Sequence, residues 1–179
     1  ERVAQVRAEM ERACRAAGRA PGEVLLCAAS KTQNSETVRA AAALDIDLFG
    51  ENRVQELCEK YAAGAYSGKP LHFIGHLQTN KVKYIAPYIS MIDAVDSLKL
   101  LREINKQAAA HGRTIKVLLE LHIAEEETKY GLSLDACREL LEGGEWRALQ
   151  NVQICGLMMM ASHVDDESII RKEFMLAAD

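Results

Sequence analysis

The stretch VLLCAASKT, residues 24–32, is an apolar run that ends on a lysine. An amine at the rim of a low-dielectric interior loses hydration, which favours its neutral, nucleophilic form and suits it to attack an aldehyde and form a Schiff base. Position alone also fits a blander reading, in which Lys31 is a solvated residue at a strand end. A second cluster, FGENRVQE at 49–56, sets Asn52 just past an apolar segment. There its amide can donate to a ligand oxygen while Glu51 and Arg53 pair, or it can cap the helix that follows. In HFIGHLQTNK, residues 72–81, His72 and His76 lie four apart. One falls inside a strand and the other beyond it, and no third ligand has suitable spacing, so a metal site is not expected. His76 is instead expected to pack on or bond to a flat ligand. The charged run AEEETKYG at 124–131 reads as solvated, or offers Lys129 as a second amine. The methionines at 158–160 read as core and rim packing, with Met158 or Met160 facing inward by strand alternation. No nucleophile elbow, P-loop or paired-carboxylate motif occurs.

Elements must position these groups. Short apolar runs predict strands at 24–30, 48–51, 71–75, 91–96, 116–123 and 154–161. Helical patterns fill the intervals at 2–18, 36–44, 53–64, 78–85, 97–111, 133–142 and 165–178, with Ser35, Ser97 and Ser133 as expected N-caps. The first helix puts Val3, Val6, Met10, Ala13 and Ala17 on one face and should end at Gly18, with Pro21 beyond as a stop. Strict alternation implies parallel strands joined by right-handed crossovers, and strands apolar on both faces require cover on each side. A Rossmann sheet would need G-x-G-x-x-G after the first strand, and SKTQNSE contains no glycine. The expected fold is therefore α/β, a (β/α)8 TIM-type barrel whose chemistry gathers at the C-terminal ends of the strands. Only about six of its βα units are present within residues 1–179, so strands seven and eight are expected to be missing or to lie in a longer protein.

Composition narrows the class. With 179 residues, 49% apolar content and a net charge of −4, the sequence supports one domain with a substantial core and no basic nucleic-acid surface. The longest apolar runs, such as CGLMMMA, are too short for a membrane span, and the charged, amphipathic first residues do not read as a secretory signal. Five scattered cysteines without a CxxC pair fit a reducing cytoplasm. A monomer is expected.

Taken in order, AASKT, FGENRVQE, HFIGHLQTNK, AVDSLKL, VLLELHIAEEETKYG and GLMMMA resemble the pyridoxal phosphate homeostasis proteins, the YggS-like family, from about residue 2 to residue 176. The resemblance implies a barrel similar to the N-terminal domain of alanine racemase, with pyridoxal 5′-phosphate (PLP) held as a Schiff base on Lys31. Asn52 would line the pocket beside the cofactor ring, His76 and Met158 would lie near the mouth, and Lys129 would be a secondary amine for cofactor exchange. The family's later Ser-Met-Gly-Met-Ser-type, Gly-Ser-Thr and Arg-Ile-Gly segments, which hold the phosphate, do not occur in these residues. A chain ending at Asp179 would be expected to bind the cofactor weakly or not at all. Three functions compete: a non-catalytic PLP carrier that delivers to apo-enzymes, an amino-acid racemase with Lys31 as base, and a truncated scaffold without cofactor. Racemisation needs proton-transfer groups on both faces of a planar carbanion. The tyrosines Tyr61, Tyr66, Tyr84, Tyr88 and Tyr130 read as lying mostly on helices or loops away from strand ends, which favours the carrier.

Overall fold

The computed structural model describes residues 1–123 and 130–177. Among these, six strands alternate with helices along the chain. The first compact unit covers residues 1–72. It contains α1 (Arg2–Ala16), β1 (Cys27–Ala29), α2 (Ser35–Ala41), β2 (Leu48–Glu51), α3 (Val54–Ala62) and the start of β3 (Leu71–Phe73). β1 and β2 are parallel, with Cys27 level with Leu48 and Ala29 level with Gly50. The Phe49 amide donates to the Pro70 carbonyl at 3.0 Å, which draws the chain entering β3 alongside β2.

Tertiary contacts move several predicted boundaries in this unit. β1 is three residues long rather than spanning 24–30. The Leu26 amide donates to the Asp47 carboxylate, and the Asp47 amide returns a bond to the Leu26 carbonyl at 3.0 Å, so the regular ladder begins only at Cys27. α1 buries Cys14 alone, and Val6 is 41% exposed. What ties this helix down is polar: Arg7 Nη2 lies 2.8 Å from Asp47 Oδ2, and its Nε donates to the Asp45 carbonyl at 3.0 Å. The cap of α2 is Asn34 rather than Ser35, its Oδ1 accepting the Thr37 amide at 2.8 Å.

The second unit, residues 73–179, opens with a 3₁₀ turn at Thr79–Lys81 that runs into α4 (Val82–Ile85). β4 (Met91–Val95), α5 (Leu98–Ala110), β5 (Ile115–Leu121), α6 (Leu134–Gly143), β6 (Val152–Met159) and α7 (Glu167–Met175) follow. β4, β5 and β6 are parallel and adjacent in chain order, and their register sets Glu120 level with Met158. α5 buries Leu100, Leu101, Ile104 and Ala108, one stripe at helical spacing. Ile92, Ala94, Val95, Ile115, Val117 and Leu119 form the buried strand side of this core. Arg113, at the entry to β5, donates to the Ala86 carbonyl and, at 2.7 Å, to that of Ile89. Ser97 and Ser133 cap α5 and α6 as the sequence predicts, accepting the amides of Leu100 at 3.2 Å and Ala136 at 3.1 Å.

The α5 cap is local, so its removal should be felt without a change of fold. Ser97→Ala is expected to lower the unfolding free energy by about 1 kcal/mol in a urea titration, with an unchanged denaturant slope.

Candidate functional site

At the C-terminal ends of β1 and β2 a carboxylate is buried with its partners. The Ser30 hydroxyl donates to Glu51 Oε1 at 2.6 Å, Lys60 Nζ donates to the same oxygen at 2.7 Å, and the Tyr66 hydroxyl reaches it at 3.1 Å. Glu51 is fully buried, and Ser30, Lys60 and Tyr66 are each 5% exposed or less. Burial of a charge is tolerable only when it is paired and hydrogen-bonded; here Oε1 collects three donors, while Oε2 is buried without a partner among the described residues. Lys60 also donates to the Ser30 carbonyl at 2.7 Å and lies 3.5 Å from Glu56 Oε2, so each of its three N–H groups has an acceptor. Glu56, one turn earlier on α3, accepts the Thr32 amide at 3.0 Å. That amide bond is the main reason its carboxyl lies below the ordinary glutamate value, with Lys60 and Arg53 adding to it against the cost of burial. The predicted Glu51–Arg53 pair does not form: Arg53 turns to Glu56 at 3.7 Å, and Glu51 takes Lys60.

Lys31 sits between two fixed neighbours. Ser30 donates its amide to the Gly50 carbonyl at 2.9 Å, and Thr32 donates its hydroxyl to the Lys31 carbonyl at 2.6 Å. Thr32 has φ +65°, a left-handed conformation that costs a β-branched residue on the order of 1–3 kcal/mol and persists only where neighbours hold it. The Lys31 residue is exposed, so the loss of hydration anticipated for it does not occur in this state. Continuing the Ala29–Gly50 register by two residues sets Lys31 level with Asn52. The residue at the N-cap of α3 is Arg53, which excludes the capping role for Asn52. Asn52 Oδ1 is buried and accepts no hydrogen bond from any described residue. An orphaned acceptor of this kind invites a donor from outside the protein.

In the second unit the His76 ring stacks on Tyr130, with centroids 3.8 Å apart and planes 13° off parallel. One His76 face is thus taken by a tyrosine, while Nδ1 lies 3.3 Å from Asp96 Oδ2. Tyr130 is delivered by a return of the chain onto β5: the His122 amide donates to the Leu132 carbonyl at 2.8 Å, and the Leu132 amide donates to that of Glu120 at 2.7 Å. Gly131 permits this approach, because at φ +128° a Cβ there would stand 2.7 Å from the His122 nitrogen. Glu120 Oε2 is buried without a partner among the described residues. Burial raises the Glu120 carboxyl above its ordinary value, the neighbouring Asp96 adds to this, and His76 and His122 oppose it. Met158 is half-buried on β6, whereas Met160 is 59% exposed. Lys129 lies outside the described residues.

Sequence reasoning missed Lys60, Glu56 and Tyr66. Glu56 and Lys60 form an i,i+4 pair, a pattern that normally marks a solvated helix face. The available signal was that Lys60 falls three residues after Leu57, on the buried stripe of α3. Two of the five tyrosines stand out from the rest: the Tyr66 hydroxyl reaches Glu51 at the end of β2, and Tyr130 covers His76.

Parallel strands alternating with helices, with a lysine leaving the first strand, define an α/β domain of the alanine racemase N-terminal type. Residues 3–177 match the family model described as alanine racemase, N-terminal domain. An alanine racemase from Clostridium difficile shares this fold at a TM-score of 0.70 and 14% identity, over 88% of this chain and 42% of that one. Relatives are nearer in sequence. The pyridoxal phosphate homeostasis protein of Aquifex aeolicus is 36% identical over 174 residues, which is 97% of this chain and 75% of that protein. Its counterpart in Pseudomonas aeruginosa is 35% identical over 158 residues, 88% of this chain and 68% of that protein. The solved structure of PipY from Synechococcus elongatus with PLP bound superposes with a TM-score of 0.76 at 30% identity, covering 94% of this chain and 77% of that one. This chain belongs to the pyridoxal phosphate homeostasis protein family.

Two outcomes follow from the charges. Lys60→Met strands the Glu51 carboxylate and is expected to cost about 3–5 kcal/mol of stability; adding Glu51→Met should restore much of that loss, read as a non-additive double-mutant cycle in urea. Because the folded chain holds the Glu120 proton to higher pH than the unfolded chain does, its contribution to stability is full below the ordinary glutamate range and is lost as pH rises through the raised value. Glu120→Gln should therefore raise the melting temperature at neutral pH, and the two melting curves should converge in acid.

Proposed function

We propose that this chain carries PLP as a reversible Schiff base on Lys31 and takes part in PLP homeostasis and delivery, without catalysing a reaction of its own. The observation that carries this reading is an exposed lysine at the exit of β1 together with the orphaned, buried Asn52 oxygen just past the end of β2, level with it when the β1–β2 register is continued. The solved PipY structure with PLP bound supports it from outside. PLP supplies, when bound, an aldehyde carbon and a ring hydroxyl able to donate a hydrogen bond. Lys31 Nζ adds to that carbon and one water leaves; the reverse addition of water, or of a recipient's amine, frees the lysine. Asn52 offers its oxygen to the hydroxyl. By their places in the family's motifs, His76, Met158 and Lys129 are the further residues proposed to serve the cofactor. On this reading the protein acts as a cytoplasmic monomer that supplies apo-enzymes dependent on PLP.

A racemase would need a second proton-transfer group opposite the lysine. Tyr66 spends its hydroxyl proton on Glu51, and Tyr130 is stacked on His76, which argues for the carrier.

Borohydride reduction after incubation with PLP, followed by peptide mapping, should place a pyridoxyl group on Lys31, and Lys31→Ala should abolish it. An unmodified Lys31 in the folded protein would overturn the reading. Optical rotation of L-alanine should persist in the presence of the loaded protein, and its rapid decay would transfer the assignment to the racemase.

A further inference from the structure

Helix α3 touches the backbone on both sides of Lys31. The Lys60 ammonium grips the Ser30 carbonyl at 2.7 Å, and one turn earlier the Glu56 carboxylate grips the Thr32 amide at 3.0 Å. Lys60 is itself locked by Glu51, so one end of the grip is anchored in the buried network. Thr32 meanwhile holds a backbone conformation that a β-branched residue avoids when free.

We propose that Glu56 and Lys60 form a backbone clamp that fixes the direction in which Lys31 leaves β1, which makes them positioning residues for the amine. The inference rests on the proposed Schiff-base role of Lys31. A lysine side chain has many rotamers, and each further loose backbone torsion at its base dilutes the fraction of time its nitrogen stands where an aldehyde carbon can be met. Pinning the carbonyl before it and the amide after it removes that backbone freedom and leaves the side chain to swing from a fixed root. Glu56 is the accessible half of the clamp: its side chain is 24% exposed, and its removal leaves the buried Lys60–Glu51 pair in place.

Three substitutions at one position separate the contact from the charge. Glu56→Ala removes the acceptor, Glu56→Asp keeps the charge but shortens the reach, and Glu56→Gln keeps an amide oxygen at full reach. The first readout needs no cofactor: hydrogen exchange at the Thr32 amide should be slow in the wild-type chain and the glutamine variant, and faster in the alanine and aspartate variants. The second is the rate of Schiff-base formation with added PLP, followed by absorbance and assigned to Lys31 by borohydride trapping. A hydrogen bond to a charged group sets the scale, so the alanine and aspartate variants should react about tenfold more slowly. Glutamine should recover most of that rate, and Glu59→Ala on the same helix should match the wild type. Equal Thr32 exchange in all chains, equal rates in all chains, or a glutamine variant as slow as alanine would each overturn the clamp. If the alanine variant does not fold, the aspartate and glutamine pair decides. Wild-type protein that leaves Lys31 unmodified defeats the proposed function instead, while the Thr32 exchange result still stands on its own.

Discussion

The first unit is organised around a single carboxylate oxygen. Glu51 Oε1 receives the Ser30 hydroxyl, the Lys60 ammonium and the Tyr66 hydroxyl, and those donors come from the exit of β1, from α3 and from the chain beyond it. Removing a glutamate from water costs several kcal/mol, which is offset only when counter-charge and hydrogen bonds are held in place. The arrangement is therefore cooperative: each donor fixes the carboxylate for the others, and the carboxylate ties the exit of β1 to α3 and the turn that follows it. The fully buried Phe49 ring packs on Tyr66, with centroids 5.4 Å apart. A purely apolar core could be as stable but would not dictate where the backbone of β1 stops and the next residue begins.

How much of this was legible follows from the range of each interaction. Caps at Ser97 and Ser133 are settled within three residues of the cap, and the sequence pattern finds them. β1 shortens because Asp47, some twenty residues away, bonds to Leu26, and α1 is held by Arg7 on Asp45 and Asp47 rather than by its apolar stripe. No local pattern contains those partners. The same distinction runs through the site. Lys31 is legible because a lysine ending an apolar run is conspicuous in one dimension, whereas the choice of partner for Glu51 is not. Arg53 is two residues away and Lys60 nine, yet the helix between them turns Lys60 inward and leaves Arg53 at the surface, its side chain 78% exposed. Asn52 was ambiguous for a related reason, since a cap and a ligand donor look alike until the first helical residue is known.

The exposure of Lys31, set beside the rigidity beneath it, distinguishes two ways of using an amine. An enzyme that stabilises a carbanion gains from a closed, dry site in which charges on both faces of the reacting plane are strengthened by low dielectric. A carrier gains from the opposite, because its load must be reached by water or by a recipient's amine. On the proposed carrier reading, a backbone held at Ser30 and Thr32 beneath an exposed Lys31 would serve the second purpose. A backbone so held would lower the entropic cost of presenting the nitrogen without burying a bond formed there. In that arrangement, order resides in the main chain and access in the side chain, and the buried pair of Glu51 and Lys60 lets the two coexist one residue apart.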